Sequence, residues 1–249
     1  MTKTRLDQLL FDRNLVESRT KAQALIMAGQ VFVDGHKSDK VGTKYEENAQ
    51  ICIKELFPYV SRGALKLEKA FIEFNLDFKC KIVCDIGSST GGFTDFALKN
   101  GAKKVFAVDV GTGQLAQKIR EDERVKVMER TDFRSVEVFD EDIDIFVCDV
   151  SFISLKKIIP KVYEIVQTQK NKSCEFIALI KPQFEAGTKE VSRGKGVIRD
   201  ETLRQEIVED IKNYATEIGF QTLGIVESPI TGAKGNVEYL LYLSFPASQ

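Results

Sequence analysis

The sequence contains a single histidine, His36, and its five cysteines stand apart at positions 52, 80, 84, 148 and 174. No Cys-x-x-Cys pair occurs, so neither the ligand types nor the spacing of a structural zinc site is present. Cys84, Cys148 and Cys174 fall in or beside apolar runs and read as buried free thiols. No apolar stretch approaches the ~20 residues needed to cross a bilayer. The opening residues, Met1 to Asp7, place an acid early and hold no apolar core, which is unlike a signal peptide. A cytoplasmic protein without a membrane partner is expected. Repeats and low-complexity tracts are absent. Neither sign of charge dominates: 36 Lys+Arg against 37 Asp+Glu leave a formal net charge of −1. Any basic surface for a nucleic acid must therefore be local.

What is present fits one large core with a small accessory domain: 249 residues, 43% hydrophobic and 29% charged. The first ~60 residues differ from the rest. A short helix is expected over Asp7–Asn14, with Leu6, Leu9 and Leu10 apolar. Ser18 reads as the N-cap of a second helix, Arg19–Ala28, closed by Gly29. Leu25 and Ile26 would face inward, and Arg19 and Lys21 outward. Val31-Phe32-Val33 followed by Asp34-Gly35 is a strand-and-turn signal. Residues 1–44 carry eight Lys+Arg against five Asp+Glu, a weak local basic bias.

Phe57-Pro58-Tyr59-Val60 reads as a linker, since Pro58 biases Phe57 toward extended backbone. The expected division is residues 1–56, a linker at 57–60, and a second domain over 61–249. Ser61 is placed to cap a helix running to about Asn75. Leu67, Ala70, Phe71 and Phe74 follow helical spacing toward the core, which puts Lys66, Lys69 and Glu73 on the other side.

From residue 81 the chain alternates. Strand-like runs at 81–86, 104–109, 125–129, 143–149 and 174–181 have helical segments between most of them, which predicts a parallel sheet with helices on both faces. Runs at 219–227 and 237–245 are joined only by the turn-rich Ser228–Asn236, which predicts a terminal antiparallel hairpin. The fold class expected is therefore α/β, with seven Rossmann-like strands plus a small N-terminal α+β domain.

Charged residues close several of these runs, where open α/β sheets place their chemistry. Asp149 ends one, Lys181 ends another, and Glu238 opens the last. The loop Asp85-Ile86-Gly87-Ser88-Ser89-Thr90-Gly91-Gly92-Phe93 follows the first strand and opens a helix. Glycines permit tight turns and close approach of a ligand, and a helix N-terminus favours negative charge. The pattern is D-x-G-x-x-x-G-G rather than the dinucleotide G-x-G-x-x-G. Asp85 would crowd a pyrophosphate but suits a cationic, amine-bearing ligand such as S-adenosylmethionine. Asp109, ending the second strand, is placed for ribose hydroxyls, and Asp132, past the third, for an adenine amino group.

Two resemblances follow from these residues. Arg5-Leu6-Asp7, Ser18-Arg19, Ala22, Leu25-Ile26, Gly29, Val31 and Val33-Asp34-Gly35 resemble the S-four-type RNA-binding domain. Asp85 through Phe93 resembles the loop of FtsJ-like RNA 2′-O-methyltransferases. Together with Ser61–Leu67, Asp149–Ser154, Lys181–Glu185 and Gly235–Tyr239, the whole chain resembles the TlyA family. Members of that family methylate ribose 2′-hydroxyls of cytidines in ribosomal RNA. The linker departs from the family, where a basic residue and a tryptophan often stand at the places of Phe57 and Tyr59.

The resemblance implies S-adenosylmethionine held by Asp85, Gly87, Ser88, Gly91, Gly92, Phe93, Asp109 and Asp132. It implies ribosomal RNA or ribosomal subunits as partner, with Arg5, Arg19, Lys21, Lys37, Arg62, Lys189, Arg193 and Lys195 as candidate RNA contacts. It also implies a catalytic group of Lys66, Asp149, Lys181 and Glu238. A lysine base must shed a proton near neutral pH, which a second ammonium nearby would assist. Lys181 is expected as the base and Lys66 as that neighbour. Asp149 would orient Lys181, and Glu238 would bond the ribose or Lys66. Two other classes of function are a membrane-active cytolysin and a non-catalytic RNA-binding assembly factor. The lack of an export signal, a spanning helix or a strongly amphipathic basic helix opposes the first, and the intact charged group with its glycine loop opposes the second.

Overall fold

A computed structural model describes residues 3–54, 57–171, 173–187 and 194–245. The chain divides into two compact units, residues 1–58 and 59–249.

In the first unit, strand β1 (Lys3–Arg5) leads into helices α1 (Leu6–Asp12) and α2 (Arg19–Met27), followed by β2 (Val31–Val33), β3 (His36–Lys37), β4 (Lys44–Glu46) and β5 (Ile51–Ile53). β1 pairs antiparallel with β4, and β2 lies between β3 and β5 in an antiparallel sheet. Helix α1 starts one residue earlier than expected and ends two earlier, with Asn14 in left-handed backbone at φ 55°. Ser18 caps α2 as expected, its hydroxyl accepting from the Lys21 N–H at 3.2 Å. Asp34 and Gly35, at φ 50° and 82°, make the tight turn between β2 and β3. Leu6, Leu10, Ala22, Ile26, Val31 and Val33 form the core, and Leu25 packs half-buried against it.

A charged group lies within this small unit. The Asp7 side chain is fully buried and accepts from Arg5 Nε at 3.0 Å, Arg19 Nη2 at 2.8 Å and Gln23 Nε2 at 3.0 Å. The Arg5 hydrogen bond in particular holds the Asp7 carboxyl well below the usual carboxylate range. A depressed carboxyl stabilises the fold above its unfolded pKa, near ~4, and that contribution is lost as the pH falls toward the depressed value. Asp7→Asn is expected to cost about 2 kcal/mol, the scale of a charged hydrogen bond. Amide exchange in α1 and α2 of the full chain should accelerate at neutral pH, and the excess over wild type should shrink in acid.

In the second unit, α3 (Ala64–Phe74) precedes β6 (Ile82–Ile86), α4 (Gly92–Lys99), β7 (Lys104–Val108), α5 (Gln117–Arg120), β8 (Val125–Met128), β9 (Ile145–Cys148), α6 (Ile159–Thr168), β10 (Cys174–Ile180), α7 (Pro182–Glu185), α8 (Glu201–Ile218), β11 (Gln221–Glu227) and β12 (Tyr239–Phe245). The seven-stranded sheet runs β11-β12-β10-β9-β6-β7-β8. β12 is antiparallel to both neighbours, and the other pairs are parallel. The expected terminal hairpin is present, with β12 inserted next to β10.

Successive residues of the central strands alternate between two cores. Cys84, Ile86, Phe146 and Cys148 pack on one face with Val162, Ile165 and Ile211 of α6 and α8. Val83, Ile145 and Val147 pack on the other with Leu67, Ala70 and Phe96 of α3 and α4. Burial of both faces explains why these strands read as continuous apolar runs. Two expectations at α3 need correction. Its N-cap is Gly63, with no side-chain bond, so Ser61 does not cap it. Lys66 is buried rather than solvent-facing. Both faces of α3 therefore meet protein near its N-terminus, a packing that a single-helix pattern cannot register.

Candidate active site

Chain order reverses between β6 and β9, and the crevice beyond their carboxyl ends is where such sheets bind ligands. Asp85 sits within the end of β6, Asp109 just past β7, Asp132 past β8, Asp149 directly after β9, and Lys181 directly after β10. Glu238 joins them from the opposite chain direction. β12 runs antiparallel with Tyr239 opposite Ile180, so the residue before β12 meets the residue after β10 at the same sheet edge.

A cavity of about 440 Å³ is lined by Lys66, Asp85, Gly87, Asp149, Lys181 and Glu238, among others. Lys66 Nζ donates to Asp149 Oδ2 at 3.1 Å and to Glu238 Oε2 at 2.8 Å. Lys181 Nζ pairs with the other oxygen, Asp149 Oδ1, at 2.6 Å. Their side chains are 10% (Lys66), 8% (Lys181), 19% (Asp149) and 2% (Glu238) exposed, so solvent screens these contacts weakly. Burial pulls the Lys66 pKa down, but the charges of Asp149 and Glu238 outweigh it and hold the ammonium above the ordinary lysine value. Burial pushes Asp149 up, but Lys181 and Lys66 outweigh it and hold the carboxylate below its ordinary value.

This geometry alters the expected division of labour. Lys66 and Lys181 take opposite oxygens of one carboxylate rather than facing each other, so Asp149 stands between the two ammonium groups and weakens their repulsion. Lys66 draws on the charge of Asp149 and neutralises the buried Glu238.

The glycine loop forms a second wall. Gly87 has φ 82°, and a Cβ there would stand 3.1 Å from the Asp149 carbonyl oxygen, so a side chain would obstruct the approach of β6 to β9. Ser88, Gly91, Gly92 and Phe93 are buried as the loop passes into α4. Asp85 Oδ2 accepts from the Thr94 N–H at 3.0 Å and from the Thr94 hydroxyl at 2.6 Å. Asp85 Oδ1 is buried and has no hydrogen-bond partner among the described residues. Burial first, with Asp149 and Asp109 adding to it, pushes the Asp85 carboxyl up to about 7 against the opposing Thr94 bonds. An unpartnered buried carboxylate oxygen is a ready acceptor for an ammonium ligand, which would relieve the cost of its desolvation.

A neighbouring cavity of about 580 Å³ is lined by Asp109, Asp132, Phe133 and Arg134 and shares Gly87, Ser89, Asp149, Ser151 and Phe152 with the first. Asp109 is fixed by accepting from the Ser89 and Gly111 N–H groups at 2.8 and 2.7 Å. Asp132 is differently engaged. It caps the short turn Phe133–Ser135 and pairs with Arg134 at 2.5 Å, so its carboxylate is already bound to a guanidinium.

Among the candidate RNA contacts, Arg5, Arg19, Lys21, Lys37, Arg62 and Lys195 are exposed. Arg5 and Arg19 also serve the fold through Asp7. Lys189 and Arg193 lie outside the described residues. Two site residues carried no sequence-based role. Gln183 is buried, donates to Glu238 Oε1 at 3.2 Å and leaves its own Oε1 unpartnered among the described residues. Ser151 accepts from Lys181 Nζ at 2.8 Å. Their closeness to Asp149 and Lys181 in the chain was the available signal, but neutral side chains do not interrupt an apolar pattern as charges do.

Comparisons with known proteins agree with this architecture. Residues 59–245 match the FtsJ-like methyltransferase family, and residues 4–51 match the S4 domain. The chain is 47% identical to YqxC of Bacillus subtilis, over 98% of this chain and 86% of that one. It is 38% identical to the 16S/23S rRNA (cytidine-2′-O)-methyltransferase TlyA of Mycobacterium tuberculosis, over 97% of this chain and 90% of the relative. A solved haemolysin-named chain from Streptococcus thermophilus is 42% identical, with a TM-score of 0.73, covering 100% of this chain and 90% of that one.

Proposed function

The chain belongs to the TlyA family, an S4 domain joined to an FtsJ-like methyltransferase, and from that premise we propose that it methylates the ribose 2′-hydroxyl of cytidine in ribosomal RNA, using S-adenosylmethionine. The convergence of Lys66, Asp149, Lys181 and Glu238 on one cavity, against a glycine loop whose Asp85 keeps an open carboxylate oxygen, carries this reading. Bound S-adenosylmethionine supplies an electrophilic methyl group on a sulfonium. Asp85, through its open Oδ1, would hold the amino group of the methionine moiety, and Asp109 would hold the ribose hydroxyls. Asp132, paired with Arg134, lines the same cleft as Asp109, where it would border the adenine.

Lys181 is the general base. It takes the proton of the 2′-hydroxyl as the oxygen bonds to the methyl carbon. Asp149 holds the Lys181 nitrogen in place. Lys66 shares that carboxylate and pairs with the buried Glu238, so both carboxylates keep one cation in contact when Lys181 is neutral. The exposed cations of residues 3–54, Lys21 and Lys37 foremost because Arg5 and Arg19 are tied to Asp7, contact RNA phosphates. The division into an RNA-binding part (1–56), a linker (57–60) and a methyltransferase part (61–249) belongs to this proposal.

The test is transfer of a radiolabelled methyl group to separated, unmodified small and large ribosomal subunits, followed by mapping of the labelled nucleotide. Label on a cytidine ribose is expected. Label on a base, or no label on either subunit, would refute the assignment.

A further inference from the structure

The side chain of Lys181 ends between two oxygen acceptors on the same loop. Its Nζ pairs with Asp149 Oδ1 at 2.6 Å and donates to Ser151 Oγ at 2.8 Å. A tetrahedral nitrogen has three directions besides its bond to Cε. With two of them turned to oxygen acceptors, the third is left to the cavity that Lys181 lines. In the neutral amine the two hydrogens stay on these acceptors and the lone pair takes the remaining direction. Asp149 alone cannot impose this, because one acceptor leaves the amine free to turn about its axis to that acceptor.

We propose that Ser151 is a positioning residue for methyl transfer: its hydroxyl oxygen fixes the orientation of Lys181 so that the nitrogen lone pair meets the ribose 2′-hydroxyl. The inference rests on Lys181 being the base. In the step itself the 2′-hydroxyl proton passes to Lys181 Nζ, the oxygen bonds to the methyl carbon, and the carbon–sulfur bond breaks with its electron pair left on sulfur. Ser151 gains and loses no proton.

The surroundings of Ser151 suit this task. It borders both cavities, at the boundary between the proposed cofactor cleft and the catalytic cluster. Its loop is fastened beyond it by Glu185 of α7, which accepts from the Ser154 hydroxyl at 2.5 Å and the Leu155 N–H at 2.9 Å. Because α7 begins directly after Lys181, this clamp ties the segment carrying the serine to the segment carrying the lysine. Ser151 itself is exposed toward the cavities, and no hydrophobic core depends on it.

Methyl transfer to unmodified ribosomal subunits by the full-length chain, comparing Ser151→Ala, Ser151→Thr and Lys181→Ala, tests the proposal. Ser151→Ala is expected to lower kcat by about tenfold to a hundredfold, the scale of a misplaced catalytic group. The KM for subunits, and the S-adenosylmethionine affinity by calorimetry, should stay within about twofold, because the lost bond lies on the base rather than on either ligand. Ser151→Thr keeps the hydroxyl and should restore most of kcat. A wild-type kcat for Ser151→Ala, a loss confined to KM or cofactor affinity, or failure of Ser151→Thr to recover would overturn the proposal. If Lys181→Ala kept wild-type turnover, the base assignment would fail, and this proposal with it. A dead Lys181→Ala beside an unaffected Ser151→Ala would sink this proposal alone.

Discussion

Lys181→Ala is expected to reduce methyl transfer by about a thousandfold, within the range for loss of a general base, while S-adenosylmethionine still binds. The two effects separate because Lys181 approaches from the end of β10, whereas the glycine loop and Asp85 belong to β6 and α4. Lys181→Arg distinguishes a base from a structural cation. Arginine retains the positive charge beside Asp149 but is never deprotonated in proteins, so it cannot accept the 2′-hydroxyl proton. Both variants should show that loss in single-turnover assays, and both should titrate with cofactor as wild type does. An active Lys181→Arg would assign the residue to charge neutralisation of Asp149 and remove it from the proton transfer.

Asp85→Asn should weaken S-adenosylmethionine binding by about a hundredfold, the effect of losing a charged hydrogen bond worth roughly 3 kcal/mol. The amide oxygen can still accept both Thr94 hydrogen bonds, so its NH₂ group takes the place of Oδ1 and presents donors to an ammonium ligand. The unliganded protein should respond in the opposite sense. Burial raises the Asp85 carboxyl from its ordinary value to about 7 in the folded chain. An acid with a raised folded pKa binds more protons when folded than when unfolded, so stability falls as the pH rises from about 4 toward 7. Asp85→Asn removes that penalty and should raise the melting temperature at neutral pH while cofactor binding weakens.

The same titration gives the pH dependence of binding. The ammonium ligand prefers the ionised carboxyl, so binding below pH about 7 releases a proton. Affinity should then fall by up to about tenfold per pH unit on the acid side and level off above. Calorimetry in buffers of different ionisation enthalpy measures that proton release. An affinity independent of pH between about 5 and 8 would contradict the role of Asp85.

Much of the second unit was legible in the chain. Strands buried on both faces leave apolar runs that end where the sheet ends, so Asp149 and Lys181 mark the functional edge by interrupting the pattern. The glycine loop was legible for a similar local reason, since Gly87 occupies backbone that other residues rarely adopt. Lys66 was harder to place. Helical spacing put it opposite Leu67 and Ala70, yet it is buried because the carboxylates of Asp149 and Glu238 approach that side of α3. Asp132 was read as a partner for an adenine amino group, but its pairing with Arg134 depends on a turn conformation that composition does not specify. Ser61 has the residue type of a helix cap, yet the N-cap position falls on Gly63, and Ser61 meets the first helical N–H, that of Ala64, only through its backbone oxygen.

Local chemistry in the chain was enough to establish the order of strands and helices, the glycine loop, and which charges lie at strand ends. Those features depend on neighbours a few residues apart. Tertiary structure alone decided that Asp149 stands between Lys66 and Lys181, that Glu238 arrives through an antiparallel strand, and that Ser151 holds the second acceptor position at Lys181. These relations join residues up to 172 positions apart. They are set by which strands become neighbours in the sheet, and pairings between segments this far apart are not specified by a local pattern of apolar and charged residues.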